Sequence, residues 1–473
     1  MEVYKEGFSK KAIDQAEAAA RIKPASKLSR RNDFRSKTIF TFADTPDTPS
    51  DLAFSIARSD DGWRLGVHVS DVDEYICEGS PLDNVAKERI GTIINDFEIK
   101  KMLPDRISKD VCNLLKDKDR LAVSINIDIT NDGDIGAVSV EESVIRVSEN
   151  FIYSEVDKFT STTDASAIMA LRAKYSPFND NLLDMFELTS LLCNNRRKRG
   201  GLNCTYFRRV YNRNAEGKID SFERIAEPDT RAMIRELGYF AGEAVGSYML
   251  KQKLPCVFSG RGAVPDSALD YLSKFVGCDA RIKDPAKRAA DIADKAKGTL
   301  YYDFVCDSLA SSLPSVVYSS KRIQNSFCGC DHIVSFFSPA SSYTDLLIQR
   351  VLKIGIRAGR PENLNLNRFK KILAEVCELS NSASQYFYET SRKYRRKCAY
   401  EYVANNVNTV FRGTPVSVQD NGAIVVILEC ALYVIVPPKF AAALEVGEEL
   451  NHFYFELIQI GGENDQILVK PII

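Results

Sequence analysis

Histidine, tryptophan and long apolar runs are what this chain has least of. Three histidines (His68, His332 and His452) and one tryptophan (Trp63) stand among 473 residues. No histidine sits at motif spacing from a cysteine or an aspartate, which argues against histidine-based catalysis and histidine-held metals. Twelve cysteines are scattered, and Cys328-Gly329-Cys330 is the one close pair. A zinc site needs two pairs at short C-x-x-C spacing. Cys193, Cys377 and Cys430 fall inside apolar patterns, which reads as reduced core thiols of a cytoplasmic protein. No apolar run approaches the ~18–20 residues that cross a bilayer, and the N-terminus shows no signal-peptide stretch, so no membrane contact is expected. Net charge is −1 and the pI is near 6.4, which excludes a wholesale polyanion binder and leaves any such role to local patches. Internal repeats and low-complexity segments are missing too.

What is present is ordinary globular material, 45% hydrophobic and 27% charged, ample for a core. Residues 9–23 read as a helix, and 24–37, PASKLSRRNDFRSK, as a basic irregular linker. Residues 38–160 carry alternating or apolar runs separated by turn signals, one curved antiparallel sheet in expectation. LAFSIA (52–57) and WRLGVHV (63–69) form a hairpin turning near Asp60-Asp61-Gly62. From 160 to 410 the apolar spacing is helical, with helices expected at 182–199, 229–252, 266–275, 285–306, 342–358 and 366–410. Five short strands over 411–473 suggest a small closed barrel of the OB type, with Lys439 on its face or rim.

Two features carry candidate chemistry. The loop before the first hairpin strand holds Asp44, Asp47 and Asp51. Clustered carboxylates leading into a rigid strand suit a hard cation such as Mg²⁺, and the same Asp, Thr, Ser and Pro residues equally make turns. Arg196-Arg197-Lys198-Arg199 before Gly200-Gly201 is both a normal helix stop and a normal phosphate contact. A second basic and aromatic run, SRKYRRK (391–397), precedes the barrel.

Several blocks, in order, resemble the RNB exoribonucleases of the RNase II and RNase R type. They are LGVHVSDVDEYI (65–76), GSPLDNVAKER (79–89), MLPDRISKDVCNL (102–114), DRLAVSINIDI (119–129), SVIRVSENFIYSEV (143–156), RRKRGGL (196–202), RAMIRELGYFAGEAVGSYML (231–250) and FFSPASSYTDLLIQR (336–350). The resemblance covers about residues 36–473 and implies an α+β fold. An RNB-type domain, a curved sheet and helical layer around a channel, occupies 36–410. An OB-fold barrel at 411–473 follows it, and 1–35 form an N-terminal helix and basic linker. The family's two cold-shock domains have no counterpart in the 35 residues that come first.

The resemblance implies Mg²⁺- or Mn²⁺-dependent 3′-to-5′ hydrolysis of single-stranded RNA by a monomer. It assigns catalysis to Asp44, Asp47 and Asp51, and metal to Asp44 and Asp51. RNA contact goes to Arg196, Arg197, Arg199, Glu236, Tyr343, Arg395, Arg396 and Lys439. Against the family's aspartate motif, an ungapped alignment from Ser55 offers Ala43, Pro49, Asp51 and Leu52, and Asp44 lies one position off the first slot. A gap placed elsewhere gives Asp51 the earlier slot and removes the closing pair. The family's arginine pair is Ser341-Ser342, its base-stacking tyrosine falls near Ile94, and its acidic pair on the central helix is Arg235-Glu236. Two functions stay open: a divergent exoribonuclease, and a pseudonuclease that binds RNA and cannot cut it.

Overall fold

Period-two alternation builds the centre of the molecule. The computed structural model describes residues 7–94, 99–161, 165–205, 207–278, 281–299, 302–358, 367–406, 409–441, 444, 453–460 and 467–472. Its first strands are β1 (Asn32–Phe34), β2 (Phe40–Ala43), β3 (Leu52–Ser59) and β4 (Gly62–Ser70). A short ribbon of β5 (Ile93–Ile94) and β6 (Ile99–Lys100) follows, then β7 (Asp119–Thr130), β8 (Ile135–Arg146) and β9 (Glu149–Ile152). Seven of them form one sheet in the order β1-β8-β7-β4-β3-β2-β9. It is antiparallel through its centre and closes at each edge with a parallel pair, β1 on β8 and β2 on β9. The β3–β4 turn needs Gly62, whose φ is 142° and where a Cβ would lie 2.2 Å from the Ile129 carbonyl oxygen.

Both faces of the sheet are covered. Phe54, Val67, Val123 and Val144 enter the main core, while Ala53, Ala122 and Ile145 point to a smaller cluster with Ile39, Leu114 and Val147. Each fully buried Val or Leu contributes about 1.5–3 kcal/mol. Helices Asn179–Lys198 and Asp229–Lys251 pack on the sheet, and Tyr343–Ala358 packs on β8. Helices Asp266–Val276, Pro285–Ala296 and Tyr302–Ser312 surround a second core that includes Leu269, Ile292, Phe304 and Leu309. The single helix expected over 285–306 is two, because Gly298 turns the chain at φ 82°.

Residues 24–37 are not a free linker. Pro24–Arg30 winds into a 3₁₀ turn, β1 joins the sheet, and the Arg31 side chain is 3% exposed among buried carboxylates. A charge run that reads as solvated is thus part of the core. The 39-residue helix Asn367–Asn405 leads to a closed barrel of Phe411–Gln419, Gly422–Ile427, Leu432–Val436, Phe453–Ile460 and Ile467–Ile472. The third barrel strand pairs in parallel with the fifth and the fourth closes on the first, which is OB topology. No helix among the described residues is long and apolar enough to cross a membrane.

His68 shows how a polar group is kept inside the sheet. It is 0% exposed, with Nε2 3.0 Å from Ser55 Oγ and Nδ1 2.7 Å from Ser124 Oγ. Gly66 leaves the room, since a Cβ there would lie 2.3 Å from Ser55 Oγ. Burial, helped by Lys37, lowers its pKa to about 3. The unfolded chain binds a proton at this histidine near pH 6.5 and the folded chain does not. Stability from this group is therefore complete above pH ~6.5 and falls by about 1.4 kcal/mol per unit below it, down to pH about 3. The expected NMR titration shows a His68 ring resonance that stays flat from pH 7 to about pH 4, within the folded range. A His68 midpoint near pH 6.5 would contradict the buried, neutral assignment.

Candidate functional site

The loop between β2 and β3 is held at several points, and those points aim its last aspartate. Ser50 N–H donates to Asn113 Oδ1 (3.0 Å), Leu114 N–H donates to the Ser50 carbonyl (2.8 Å), and Ser70 N–H donates to the Asp51 carbonyl (2.9 Å). Asp51 then faces the Ser338-Pro339 corner, where its Oδ2 accepts the Ala340 amide (3.3 Å). The corner is tied to itself. Ser341 and Ser342 amides donate to the Ser338 carbonyl, and buried Asp345 accepts from Ser335 Oγ, Ser338 N–H and Ser342 Oγ at 2.9–3.0 Å. Burial pushes the Asp345 carboxyl up despite these donors. Burial likewise raises the Asp51 carboxyl to about 7, Asp345 adding to the shift and the Ala340 amide opposing it.

Asp51 and Asp44 line one cavity of about 320 Å³, together with Thr48, Ser50, Tyr153 and Arg231. Arg231 comes from the first turn of helix Asp229–Lys251. That helix start is fixed by Asp157, whose Oδ1 accepts the Thr230 amide (2.8 Å) and hydroxyl (2.6 Å). The Arg231 guanidinium lies 4.9 Å from the Tyr153 ring centre and forms an ion pair with Asp44. Asp47 is exposed and does not line the cavity. The structure therefore unites two of the three aspartates and adds a cation that motif reading did not supply.

Mg²⁺ needs near-octahedral oxygen ligands and is held by carboxylates that are free to meet it. Here one of the cavity's two carboxylates is taken by a guanidinium and the other accepts an amide. As the side chains stand, with Asp44 paired to a guanidinium, Asp51 is the one carboxylate of this cavity left to meet a Mg²⁺ or Mn²⁺ ion. Among the described residues one other carboxylate group is tight enough to consider, Asp71, Glu74 and Glu142, with ligand atoms within 4.8 Å of one another. Its charge is already met by protein cations. Lys353 Nζ lies 2.8 Å from Asp71, 3.0 Å from Asp73 and 3.3 Å from Glu74, and Arg31 bridges Asp71, Glu74 and Glu142. Burial alone would raise the Asp71 carboxyl, but Lys353 and Arg31 hold it below the ordinary range.

The residues assigned to RNA contact divide into inward and outward sets. Arg196 is 3% exposed, bound to both oxygens of Glu236 (2.8 and 2.9 Å) and to the Leu202 carbonyl. Tyr343 is 2% exposed and donates its hydroxyl to Asp83. Arg197 pairs with Asp294, and Arg199 forms a two-point pair with Glu243. Arg395, Arg396 and Lys439 are exposed. The Ile94 side chain lies outside the described residues. Motif matching gave positions and not orientations: Arg196 and Tyr343 carry the family's residue types and use them in packing. Arg231 was missed because its partner lies 187 residues away in the chain.

Residues 31–357 match the family model described as RNB domain. The chain is 26% identical over 464 residues to "Ribonuclease R" of Thermotoga maritima, covering 95% of this chain and 62% of that protein. Among solved structures it is similar to Mycoplasma genitalium RNase R in complex with ribose methylated single-stranded RNA. The TM-score there is 0.79 at 17% identity, over 98% of this chain and 76% of that one. It is also similar to yeast Ssd1, described as a pseudonuclease, with TM-score 0.65 at 17% identity, over 91% and 52%. The chain spans between 50% and 62% of the length of the first curated relatives it matches.

Lys353 is 2% exposed, so its removal leaves buried carboxylates short of a cation. Lys353→Met is expected to cost about 3–5 kcal/mol in urea unfolding. Added Mg²⁺ is expected to restore none of it. Restoration by Mg²⁺ would instead identify the cluster as a latent metal site.

Proposed function

The chain belongs to the RNB-domain family, and we propose that it binds single-stranded RNA on that fold without hydrolysing it. The observation that carries this reading is the Asp44–Arg231 ion pair, which leaves Asp51 as the cavity's one carboxylate without a cationic partner. Metal-assisted phosphodiester hydrolysis needs carboxylate-held ions to activate water and to stabilise both the attacking and leaving oxygens. It also gains from guanidinium groups aimed at the developing charge, and each such donor is worth ~10²–10³ in rate. In this chain the arginine pair is Ser341-Ser342, and Ser342 turns to Asp345. Arg231 is the guanidinium that lines the cavity, and it is engaged by Asp44.

RNA binding rests on other parts of the molecule. Exposed Arg396 and Lys439 border the barrel, and barrels of this topology bind single strands through basic and aromatic residues. Reading 411–473 as a separate unit from 36–410 gives that barrel its own binding role. The Mycoplasma genitalium enzyme holds single-stranded RNA on a fold of this kind, and yeast Ssd1 is a pseudonuclease. Metal-dependent 3′-to-5′ hydrolysis is the second reading. It is favoured by Asp44 and Asp51 lining the same cavity, where rotation of Arg231 away from Asp44 would free that carboxylate to act beside Asp51.

Matched native and denaturing gels with 5′-labelled single-stranded RNA, with and without Mg²⁺ or Mn²⁺, separate the two. The expected result is a shifted band with intact RNA, unchanged by metal, and Asp51→Asn binds RNA as the parent does. A metal-dependent ladder that shortens from the 3′ end and disappears in Asp51→Asn would overturn the non-hydrolytic reading.

A further inference from the structure

The ribbon Phe207–Arg213 and Ile219–Ala226 places two arginines directly opposite each other, Arg209 facing Arg224. Like charges in such cross-strand register repel and destabilise a hairpin unless something neutralises them. The ribbon cannot swing away. Arg213 and the Ile219 amide are bound by Glu401 of helix Asn367–Asn405, and Asn405 Nδ2 donates to the Ile219 carbonyl. Tyr402 of the same helix packs edge-on against Phe222 at 5.0 Å.

The same helix brings a third guanidinium, Arg395, to this place. Asp307 of helix Tyr302–Ser312 is the buried carboxylate at the centre, ion-paired with Arg209 and under the field of Arg224 and Arg395 as well. Asp303 at the rim lies 3.0 Å from Arg224 Nη2, 45% exposed and screened. Three guanidiniums thus meet two carboxylates, and Arg392, one helical turn before Arg395, adds a fourth positive charge. Donors are left over. Arg209 Nε and Arg224 Nε are buried without a hydrogen-bond acceptor, and Arg395 Nε reaches the Ser391 carbonyl at 3.3 Å. Burial, reinforced by Arg209, pushes Arg224 below the usual guanidinium value, with Asp307 opposing. Arg395 is exposed, Arg224 and Arg209 keep 23% and 14% of their side chains at the surface, and Arg224 stacks 4.3 Å over Phe207.

We propose that Arg209, Arg224 and Arg395 form a phosphate-binding site, apart from the Asp51 cavity, that anchors the backbone of bound single-stranded RNA. A tetrahedral anion with several acceptor oxygens meets converging guanidinium forks in a way that one carboxylate cannot. Tyr433 on the barrel strand Leu432–Val436, 58% exposed and close enough to sense Arg392, offers a ring for the neighbouring base. Taking the phosphate from RNA rests on the RNA-binding reading above. The phosphate chemistry itself does not, since inorganic phosphate or a nucleotide presents the same group.

The test compares the full chain, the double variant Arg224→Gln/Arg395→Gln, and Arg208→Gln. Arg208 is exposed on the same strand, and its side chain points to the other face of the ribbon. RNA affinity is measured by fluorescence anisotropy over a range of salt, and melting temperature with and without inorganic phosphate. The double variant is expected to bind labelled single-stranded RNA ~10-fold more weakly at low salt. Its log-affinity against log-salt slope is expected to be shallower by about 0.7 to 1.4, since each phosphate of a single strand that goes unneutralised takes about 0.7 from the slope. It is expected to melt no lower than the parent, because like charges have been removed, and Arg208→Gln is expected to match the parent. If the double variant melts lower, Arg395→Gln alone carries the same comparison, since that side chain is exposed. Parent-like RNA affinity and slope in the variants would overturn the site and leave the RNA reading standing. If the parent binds no RNA, the phosphate arm decides. A phosphate-induced rise in melting temperature, present in the parent and lost in the double variant, supports a site for a small phosphate ligand. No such rise overturns the proposal.

Discussion

Helix Tyr343–Ala358 is held in register by buried charge, and the candidate site depends on that register. Lys353 and Arg350 reach from this helix to Asp71, Asp73, Glu74 and Asp83, residues of the turn and helix that follow β4. Arg31 reaches two of these carboxylates, Asp71 and Glu74, from the N-terminal segment and adds Glu142 of β8. Three distant parts of the chain are thereby locked together by groups that cannot stay buried apart, since an unpaired buried charge costs several kcal/mol. The geometry also explains why the segment around Arg31 belongs to the sheet. Its guanidinium completes the neutralisation that Lys353 begins.

The corner that meets Asp51 is the N-terminal end of that same helix. Ser338 to Ser342 precede Tyr343, and Asp345 in the first turn collects the donors of the corner. Fixing the helix by its charged middle therefore fixes what lies under Asp51. Ser341 and Ser342 stand at this corner, and the hydroxyl of Ser342 turns back to Asp345. The cavity's positive charge comes instead from Arg231, on the opposite wall, in an ion pair with a loop carboxylate. The helix and its corner are thus fixed by buried charge, while the charges of Asp44 and Arg231 in the cavity cancel each other.

Much of this architecture could be read from residue order. The β3–β4 hairpin followed from alternation and Asp60-Asp61-Gly62, and the barrel from five short β-branched runs. Both are local patterns, and local patterns survive translation into structure. What could not be read were pairings at long range. Arg31 lies in a run that resembles a solvated arm, and its carboxylate partners lie 40 to 111 residues further on. Arg196 and Tyr343 sit in matching motif positions, yet motif position says nothing about whether a side chain turns inward. The break at Gly298 had a local signal, a glycine after Lys297, and helical spacing on both sides masked it. The residue pattern placed the aspartate loop before the first hairpin strand, and the resemblance paired Asp44 with Asp51, but neither indicated the Arg231 that faces them.

Binding and cutting draw on different parts of such a molecule. Affinity for a single strand comes from phosphate contacts and base stacking spread along the path, and each is worth a modest, salt-dependent amount. Hydrolysis depends on a few charges at one point, where losing one donor removes orders of magnitude in rate. A sequence that drifts from its family therefore loses the second capacity long before the first. The Arg209–Arg224 register illustrates the asymmetry. A chain with no polyanion to hold would shed a repulsion by replacing Arg224, since Arg209 is already paired with Asp307, whereas a chain that holds RNA has reason to keep a repulsive pair poised for a phosphate. The same logic gives the Asp44–Arg231 pair its meaning. On the non-hydrolytic reading proposed above, a resident guanidinium is the simpler way to neutralise a carboxylate that no metal claims.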